Sequence, residues 1–385
     1  MSTQLKIVSV FESHFAKVPK LFFSPGRINL IGEHIDYNDG FVMPAAIDKG
    51  VWFAVAANHT NTVNFVSVDL NETYSVSIDK IEKNDSWKNY VLGVLHILQV
   101  NNIPFSGFDC VFGGNLPVGA GLSSSAAVEG GLLFALNTLF SLGLTRIEMA
   151  KLAQKAEHGF PGVNCGIMDQ FASLNGKKNH VILLDCTSLA YQHFPLQLDA
   201  YHIVLINTKV HHSLASGEYN KRRKQCEEGL ALLKTQIAGI KSFRDISAQQ
   251  VVASKDLLEA KIFDRCLFVT EEIARTQLAG KYLQEHNLLA FGKLMFQTHE
   301  GLSKLYEVSC PELDFLVAEA KKYASIIGAR LMGGGFGGCT INLIEKIGSD
   351  ATIEAITGAY KQKFGIDAEA YIMATSDGTY EIIGS

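Results

Sequence analysis

The chain of 385 residues, 47% of them hydrophobic, is too long for one ordinary core and predicts a globular protein of two domains. Its net charge of −5 argues against the broad basic surface that nucleic acids need, and glutamates follow the basic cluster at 221–224, as on a solvated helix face. The seven cysteines show no CxxC pair or zinc spacing, and the sequence has neither a signal-peptide core nor an apolar run of membrane-spanning length. We therefore expect no nucleic-acid or membrane partner and a location in a reducing compartment, most simply the cytoplasm.

The first predicted strand, residues 21–24, enters a Pro–Gly turn and is followed by an unusually polar segment over 26–40. Glu33, His34 and Asp36 resemble a metal triad, but their spacing fits neither HExxH nor an i, i+4 helical pair. Two carboxylates and an imidazole offer the acceptors and the donor needed to hold several hydroxyl groups of a sugar. A polar loop between strands is the structural alternative, but such loops more often contain serine, glycine and lysine.

Hydrophobic patterns predict the next elements, with strands over 42–58, 62–68, 74–78 and 108–112, and helices over 87–99, 126–139 and 146–158. The loop before the helix at 126–139 contains Gly119 and Gly121, which let the backbone approach a ligand closely. It also contains Ser123, Ser124 and Ser125 at a helix start, whose unpaired N–H groups and dipole favour an anion. Because serines are also good N-caps, this loop alone supports a phosphate cradle and a capped structural turn about equally.

Asp169 lies among apolar neighbours within the stretch 163–173, in a short segment that is predicted to be helical. A buried carboxylate without compensation is costly, so Asp169 should either cap a helix or meet a cation. Arg27 is the candidate cation. The spacing of the two residues does not reveal whether they meet.

The second half of the chain is predicted to begin between two strands, 181–185 and 202–206. A long helix over 215–233 and a mostly helical stretch over 249–323 follow. The adjacent histidines His211 and His212 could bind a metal, but an isolated pair is more often part of a surface turn.

A second glycine run, residues 333–338, matches the pattern GxGxxG. It lies between a predicted helix, 313–327, and a predicted strand, 339–344. A dinucleotide-binding fold needs the reverse order, so the run does not indicate hydride transfer. Its glycines still predict that the backbone approaches either a ligand or the serine-containing loop.

Taken together, three segments resemble the GHMP small-molecule kinases and, within them, the galactokinase family: residues 26–37, 119–126 and 333–338. The stretches 165–170 and 212–219 are also similar, and all five occur in the order of the family. Ile35, where the family usually has threonine, is a departure at a position without an expected contact. The Walker A loop and the HRD and DFG elements of protein kinases are absent.

The resemblance implies an α+β fold of two domains with the active site between them. Residues 1–198 would form an N-terminal domain with the sugar loop (residues 26–40) and the phosphate loop (residues 119–125). Residues 199–385 would form a ferredoxin-like domain with the glycine-rich loop (residues 333–338). The implied activity is a kinase that uses ATP and Mg²⁺ to phosphorylate the anomeric hydroxyl of galactose, giving galactose 1-phosphate.

Two alternatives remain open. One is a kinase for a related sugar, such as N-acetylgalactosamine. The other is a non-catalytic sensor of sugar and ATP, although such relatives can lack part of the motif at 125–127, which is intact here. Galactose and ATP are the expected partners. A monomer is plausible, but the sequence does not predict the oligomeric state.

The resemblance also implies roles for individual residues. Asp169 would serve as the catalytic base, while Arg27 would stabilise charge. Because an aspartate paired with an arginine should have a lowered pKa and be a weak base, we expect Asp169 mainly to orient the sugar hydroxyl and to accept its proton late, as the P–O bond forms. The other expected site residues are Glu33, His34, Asp36, Gly166 and Tyr219 for the sugar, Gly119, Ala120, Gly121, Leu122, Ser123, Ser124 and Ser125 for the ATP phosphates, Trp87 and Tyr90 for adenine, and Ser125 and Glu157 for Mg²⁺. For the two aromatic residues, a place in the core is equally well supported.

Overall fold

The computed structural model describes residues 2–117, 119–211 and 215–383. For three of these residues, 211, 215 and 216, it describes the backbone but not the side chain. The first half of the chain contains α1 (Thr3–Phe15), β1 (Lys20–Asn29), β2 (Phe41–Val42), β3 (Pro44–Ala57), β4 (Thr62–Ser67), β5 (Glu72–Ser77), α2 (Lys88–Val100), β6 (Phe108–Gly114), α3 (Ser124–Phe140), α4 (Arg146–Gly159), α5 (Met168–Asn175), β7 (His180–Asp185) and β8 (Tyr191–Pro195). The second half contains β9 (Tyr201–His211), α6 (Ala215–Gln236), α7 (Ala248–Ala253), α8 (Ala260–Gln284), α9 (Leu288–Lys304), α10 (Pro311–Ala320), β10 (Ile326–Met332), β11 (Gly337–Glu345), α11 (Ser349–Phe364), β12 (Glu369–Met373) and β13 (Tyr380–Ile382). None of these described helices is long and apolar enough to cross a membrane.

The strands of the described ranges form three sheets. The largest has six strands in the order β13-β1-β3-β6-β4-β5, the second has the order β10-β11-β9-β12, and the third has the order β2-β7-β8. Neighbouring strands are antiparallel, except that β4 and β6 are parallel. Helices packed on mostly antiparallel sheets give the α+β class that the resemblance implies.

The largest hydrophobic core joins the two halves of the chain. It contains Phe53 of β3 and Leu132 of α3 together with Phe268 of α8. Gly131 lets α3 approach the sheet, because a Cβ at this position would lie 2.4 Å from the Phe53 ring. The continuous core therefore gives the elements of both halves a common rigid support.

Strand β1 is longer than the sequence predicts. It continues through Pro25 and Gly26 to Asn29, and its register with β3 shifts between Pro25 and Arg27. A proline is tolerated at such a bulge because the ladder hydrogen bond is already interrupted there. The predicted turn is therefore wrong, and Arg27 projects from a sheet strand.

The helix predicted over 313–327 is wrong in its second half. Helix α10 ends at Ala320, and β10 begins at Ile326. Every residue of β10 is buried, and a fully buried strand has no hydrophobic period that distinguishes it from a buried helix. The glycine-rich loop consequently connects two antiparallel strands, β10 and β11, which is again no dinucleotide-binding arrangement.

The domain division near residue 198 remains a proposal, and the chain crosses it once more near its end. Strand β13 pairs with β1 at the edge of the six-stranded sheet. The ferredoxin-like part would then extend from β9 to β12, while β13 belongs to the N-terminal sheet.

Candidate active site

A cavity of about 310 Å³ lies where the sugar loop, the start of α5, helix α6 and the glycine-rich loop meet. Its walls include eight of the expected site residues: Arg27, Glu33, His34, Asp36, Glu157, Gly166, Asp169 and Tyr219. These residues come from distant parts of the chain, and the fold brings them together. The volume is at the lower end of small-molecule sites and suits a compact ligand.

The Arg27 guanidinium and the Asp169 carboxylate form two parallel hydrogen bonds at one wall of this cavity. Nε donates to Oδ1 at 2.8 Å, and Nη2 donates to Oδ2 at 2.9 Å. The third nitrogen, Nη1, donates to the carbonyl oxygen of Gly121 in the phosphate loop. Arg27 is therefore the cation that compensates Asp169, and it also connects this carboxylate to the phosphate loop.

Nearby carboxylates keep Arg27 charged although it is almost fully buried. Burial works against a positive charge, but Asp169 and Glu33, together with Asp36, raise the pKa of Arg27 above its usual value. A permanent cation thus lies between the carboxylates of the sugar loop and the phosphate loop.

The start of α3 carries no serine cap. Ser123, the residue before the helix, has a φ of +57°, and its side chain makes no capping hydrogen bond. The Ser123 hydroxyl donates instead to Oδ2 of Asp169. Because this hydroxyl does not occupy the first-turn N–H groups, the helix start favours the phosphate cradle over the capped turn.

Asp36 of the sugar loop and Gly166 contact each other at the cavity wall. A Cβ on Gly166 would lie 1.8 Å from Oδ2 of Asp36, so only glycine leaves room for this carboxylate. Burial, with the nearby charges of Asp169 and Glu33, raises the pKa of Asp36 to about 7. Asp36 therefore changes its charge near neutral pH.

Both ring nitrogens of His34 are engaged within the protein. Nε2 donates to the carbonyl oxygen of Gly334 at 3.1 Å, and Nδ1 accepts from the Tyr37 hydroxyl at 2.7 Å. Burial lowers the pKa of His34 to about 4, so the ring is neutral at pH 7. His34 lines the cavity, but its direct contact with a sugar stays a prediction.

Glu157 and Ser125 provide an oxygen-only donor set. Burial and the charge of Asp169 raise the pKa of Glu157, whereas the Ser125 hydroxyl acts to lower it. The amide of Gln170 holds the Glu157 carboxylate from α5. No group of three or more metal-binding His, Cys, Asp or Glu side chains occurs among the described residues. One carboxylate and one hydroxyl nevertheless fit Mg²⁺, which usually takes its other ligands from phosphates and water.

The phosphate loop and the glycine-rich loop face each other backbone to backbone. A Cβ on Gly121 would lie 3.6 Å from the carbonyl oxygen of Met332, and a Cβ on Gly338 would lie 3.7 Å from that of Gly119. Gly119 and Gly121 have φ values of +73° and +69°, which disfavour other residues. The second glycine run thus approaches the serine-containing loop, one of the two possibilities that the sequence indicates.

The two aromatic residues expected near adenine do not line the described cavity. The Trp87 indole donates to Glu72 at 2.8 Å, and its ring centroid lies 5.5 Å from that of Phe112. Burial and then the Glu157 carboxylate raise the pKa of Tyr90. Their contact with adenine remains a prediction. His212, of the histidine pair and the 212–219 stretch, lies outside the described residues.

The sequence analysis missed Arg330, a fully buried arginine of β10 that contacts the sugar loop. Its Nη1 donates to Oε2 of Glu33 at 2.8 Å. A charged residue inside an otherwise apolar strand was the available signal, because a buried charge needs a partner elsewhere.

Comparison with known families agrees with this architecture. The galactokinase galactose-binding signature matches residues 9–57, and the N-terminal and C-terminal GHMP kinase domains match residues 89–177 and 280–362. The sugar loop thus lies within the first match, and the phosphate loop and the glycine-rich loop lie within the other two.

Similar proteins cover nearly the whole chain. The galactokinase of Thermotoga petrophila is 42% identical over 93% of this chain and 99% of its own length. The galactokinase of Clostridium perfringens is 41% identical over 97% of this chain and 98% of its own length. A crystal structure of Lactococcus lactis galactokinase complexed with galactose superposes with a TM-score of 0.95. The two sequences are 35% identical, and the match covers 99% of this chain and 100% of the Lactococcus lactis chain. Methanococcus jannaschii mevalonate kinase, at 19% identity and a TM-score of 0.65, shares the fold. The resemblance and the two-domain α+β fold are therefore confirmed, and the chain belongs to the galactokinase family of the GHMP kinases.

Proposed function

We propose that this chain transfers the γ-phosphoryl group of ATP to the anomeric hydroxyl of galactose, giving galactose 1-phosphate. The relatives named galactokinase support this activity and its sugar. The observation that carries the mechanism is the bidentate Arg27–Asp169 pair, because it lies between the sugar side of the cavity and the phosphate loop.

On the sugar side, we assign Asp36 and Glu33 as acceptors for sugar hydroxyls, with Gly166 and Tyr219 completing the wall. We assign Asp169 as the group that receives the attacking hydroxyl. Its carboxylate is held by Arg27 and Ser123, so the chain fixes the direction of its free lone pairs. A carboxylate held in this way orients the hydroxyl first and accepts its proton as the new bond forms.

On the nucleotide side, phosphoryl transfer has a loose transition state, so positioning and charge stabilisation carry most of the catalysis. When bound, ATP supplies the phosphoryl group and Mg²⁺ neutralises phosphate oxygens. Ser125 and Glu157 would hold the metal ion. The first-turn N–H groups of α3 and the cation of Arg27 would stabilise the remaining negative charge.

A sugar panel with purified protein and Mg-ATP tests the activity by ADP release. Galactose should give the highest kcat/KM. A higher value for N-acetylgalactosamine would favour the related-sugar kinase. Binding of galactose and ATP without ADP release would favour the sensor, which the intact Ser125–Ala127 stretch argues against.

Replacing Glu157 with glutamine should weaken metal binding at least about tenfold, because a neutral amide is a poor ligand for a hard cation. Ser125→Ala should have a smaller effect in the same direction. Binding of Mn²⁺ to the enzyme–ADP complex, followed by electron paramagnetic resonance, measures this without turnover. Glu319→Gln is the matched control, since Glu319 of α10 is also buried but pairs with Lys322. Equal Mn²⁺ affinity for Glu157→Gln and the control would remove Glu157 from the metal site.

The pH dependence of galactose use should follow Asp36. Because its pKa is raised to about 7, the free enzyme loses this carboxylate charge as the pH falls through 7. At saturating Mg-ATP, kcat/KM for galactose should fall about tenfold per pH unit below that value. Asp36→Asn should have a low value without this slope. A wild-type profile that is flat down to pH 5.5 would contradict the assignment.

We also propose a cytoplasmic location for the protein. All seven cysteines lie in the described parts of the chain and are unpaired, and five of them are buried. Unpaired thiols are typical of reducing compartments.

A further inference from the structure

We propose that Arg330 is a positioning residue for sugar recognition: it holds one carboxylate oxygen of Glu33 so that the other faces the sugar. The inference rests on the proposed galactokinase function and adds a residue from the C-terminal half of the chain to the sugar site. Arg330 lies in β10, directly before the glycine-rich loop, and it does not touch the substrate itself.

The Arg330 guanidinium makes contacts that a smaller cation cannot reproduce. Nη1 donates to Oε2 of Glu33 at 2.8 Å, and Nε donates to the carbonyl oxygen of Leu30 at 2.9 Å. Nη2 donates to the carbonyl oxygen of Asn29. The planar guanidinium therefore holds both the main chain of the sugar loop and the side chain that this loop presents.

Glu33 is fixed at one oxygen only. Its Oε2 also accepts from the backbone N–H of Gly333 at 3.1 Å, whereas Oε1 has no hydrogen bond within the described residues. Glu33 is 3% exposed and lines the cavity. Oε1 is not one of the fully buried unpartnered oxygens of the described residues, so it is open to the cavity and is the carboxylate oxygen that remains free to accept from a sugar hydroxyl.

The sugar loop has a second support that does not depend on Arg330. Glu272 of α8 is fully buried and accepts from the backbone N–H of Gly32 at 3.0 Å. Thr298 of α9 donates to the same carboxylate at 2.9 Å. Because this support persists when Arg330 changes, a variant at Arg330 should misdirect Glu33 more than it moves the loop.

Arg330→Lys keeps the positive charge but loses the planar guanidinium group, whose three nitrogens bind Glu33, Leu30 and Asn29 at the same time. We expect KM for galactose to rise at least about tenfold, while KM for ATP stays within about twofold. Glu33→Gln should raise KM for galactose as well. The double variant should be little worse than the more affected single variant, because both changes disturb the same contact between Oε1 of Glu33 and the sugar.

A panel of monodeoxygalactoses provides a readout that a merely structural role would not change. The hydroxyl whose removal no longer matters in Glu33→Gln should be the one whose removal no longer matters in Arg330→Lys. Arg265→Lys is the matched control. Arg265 is 1% exposed and pairs with Glu307 at 2.6 Å, but it does not line the cavity, so the deoxy-sugar pattern should stay as in the wild type.

Three outcomes would overturn the proposal: an unchanged KM for galactose in folded Arg330→Lys, additive effects in the double variant, or equal increases of both KM values. If this variant does not fold, a crystal structure of the wild type with galactose decides. Oε1 of Glu33 must then contact a sugar hydroxyl while Oε2 stays on Arg330. Failure of the wild type to phosphorylate galactose would contradict the proposed function instead, which keeps the two results separate.

Discussion

Asp169→Asn should lower kcat about 10³-fold while galactose still binds, since positioned proton acceptors contribute about 10² to 10⁴. The amide has nearly the same shape, but it cannot accept the proton of the attacking hydroxyl. It also places an N–H group or a neutral oxygen against the Arg27 guanidinium, where the wild type has two charge-assisted hydrogen bonds. Single-turnover kinetics measure the chemical step, and isothermal titration measures galactose binding.

The control for this variant is Asp109→Asn. Asp109 is also buried and pairs with a cation, Lys17, at 2.8 Å, but it lies on β6, away from the cavity. We expect kcat within about twofold of the wild type, because a group that is remote from the reacting atoms contributes no transition-state binding. A near-normal kcat in Asp169→Asn would rule out the catalytic role of Asp169.

Gly166→Ala should raise KM for galactose about 10²-fold, which is the effect expected when a binding group is displaced by about 1 Å. The added Cβ would lie 1.8 Å from Oδ2 of Asp36, far below a van der Waals contact. The backbone φ of Gly166 is not in the left-handed region, so alanine is compatible with the local conformation. The expected defect is therefore a displaced carboxylate, not a strained main chain.

Gly159→Ala is the matched control for this substitution. Gly159 ends α4, and a Cβ there would meet nothing within 4 Å. We expect unchanged kinetics and equal or slightly higher stability, since alanine is the better helix former. Galactose titration and thermal unfolding of both variants test the pair. Full galactose affinity in Gly166→Ala would mean that Asp36 does not need its observed position.

Residues from the C-terminal half of the chain hold the sugar loop, which belongs to the N-terminal half. Arg330 and Glu272, both from the C-terminal half, bind the main chain of the sugar loop. Gly333 and Gly334 bind the side chains of Glu33 and His34. A motion that separated the halves at this place would break several buried hydrogen bonds to charged groups, so we expect the sugar side to be formed before nucleotide binds.

The sequence by itself determined the family, most helices and strands, and the residue types of the site, because loops of glycine, serine and carboxylates are local patterns. It did not determine β10, since a fully buried strand such as Ile326–Met332 lacks a distinguishing period. Nor did it reveal that Ser123 binds Asp169 instead of capping its helix.

Only the tertiary structure decided which charges meet. Arg27 and Asp169 are 142 residues apart, and Glu33 and Arg330 are 297 residues apart. Hydrophobic periodicity and motif spacing report on neighbours along the chain, whereas the partner of a buried charge depends on how sheets and helices pack. The apolar neighbours of Arg330 along the chain therefore indicate that it needs a counter-ion, and the fold decides that this counter-ion is the carboxylate of Glu33.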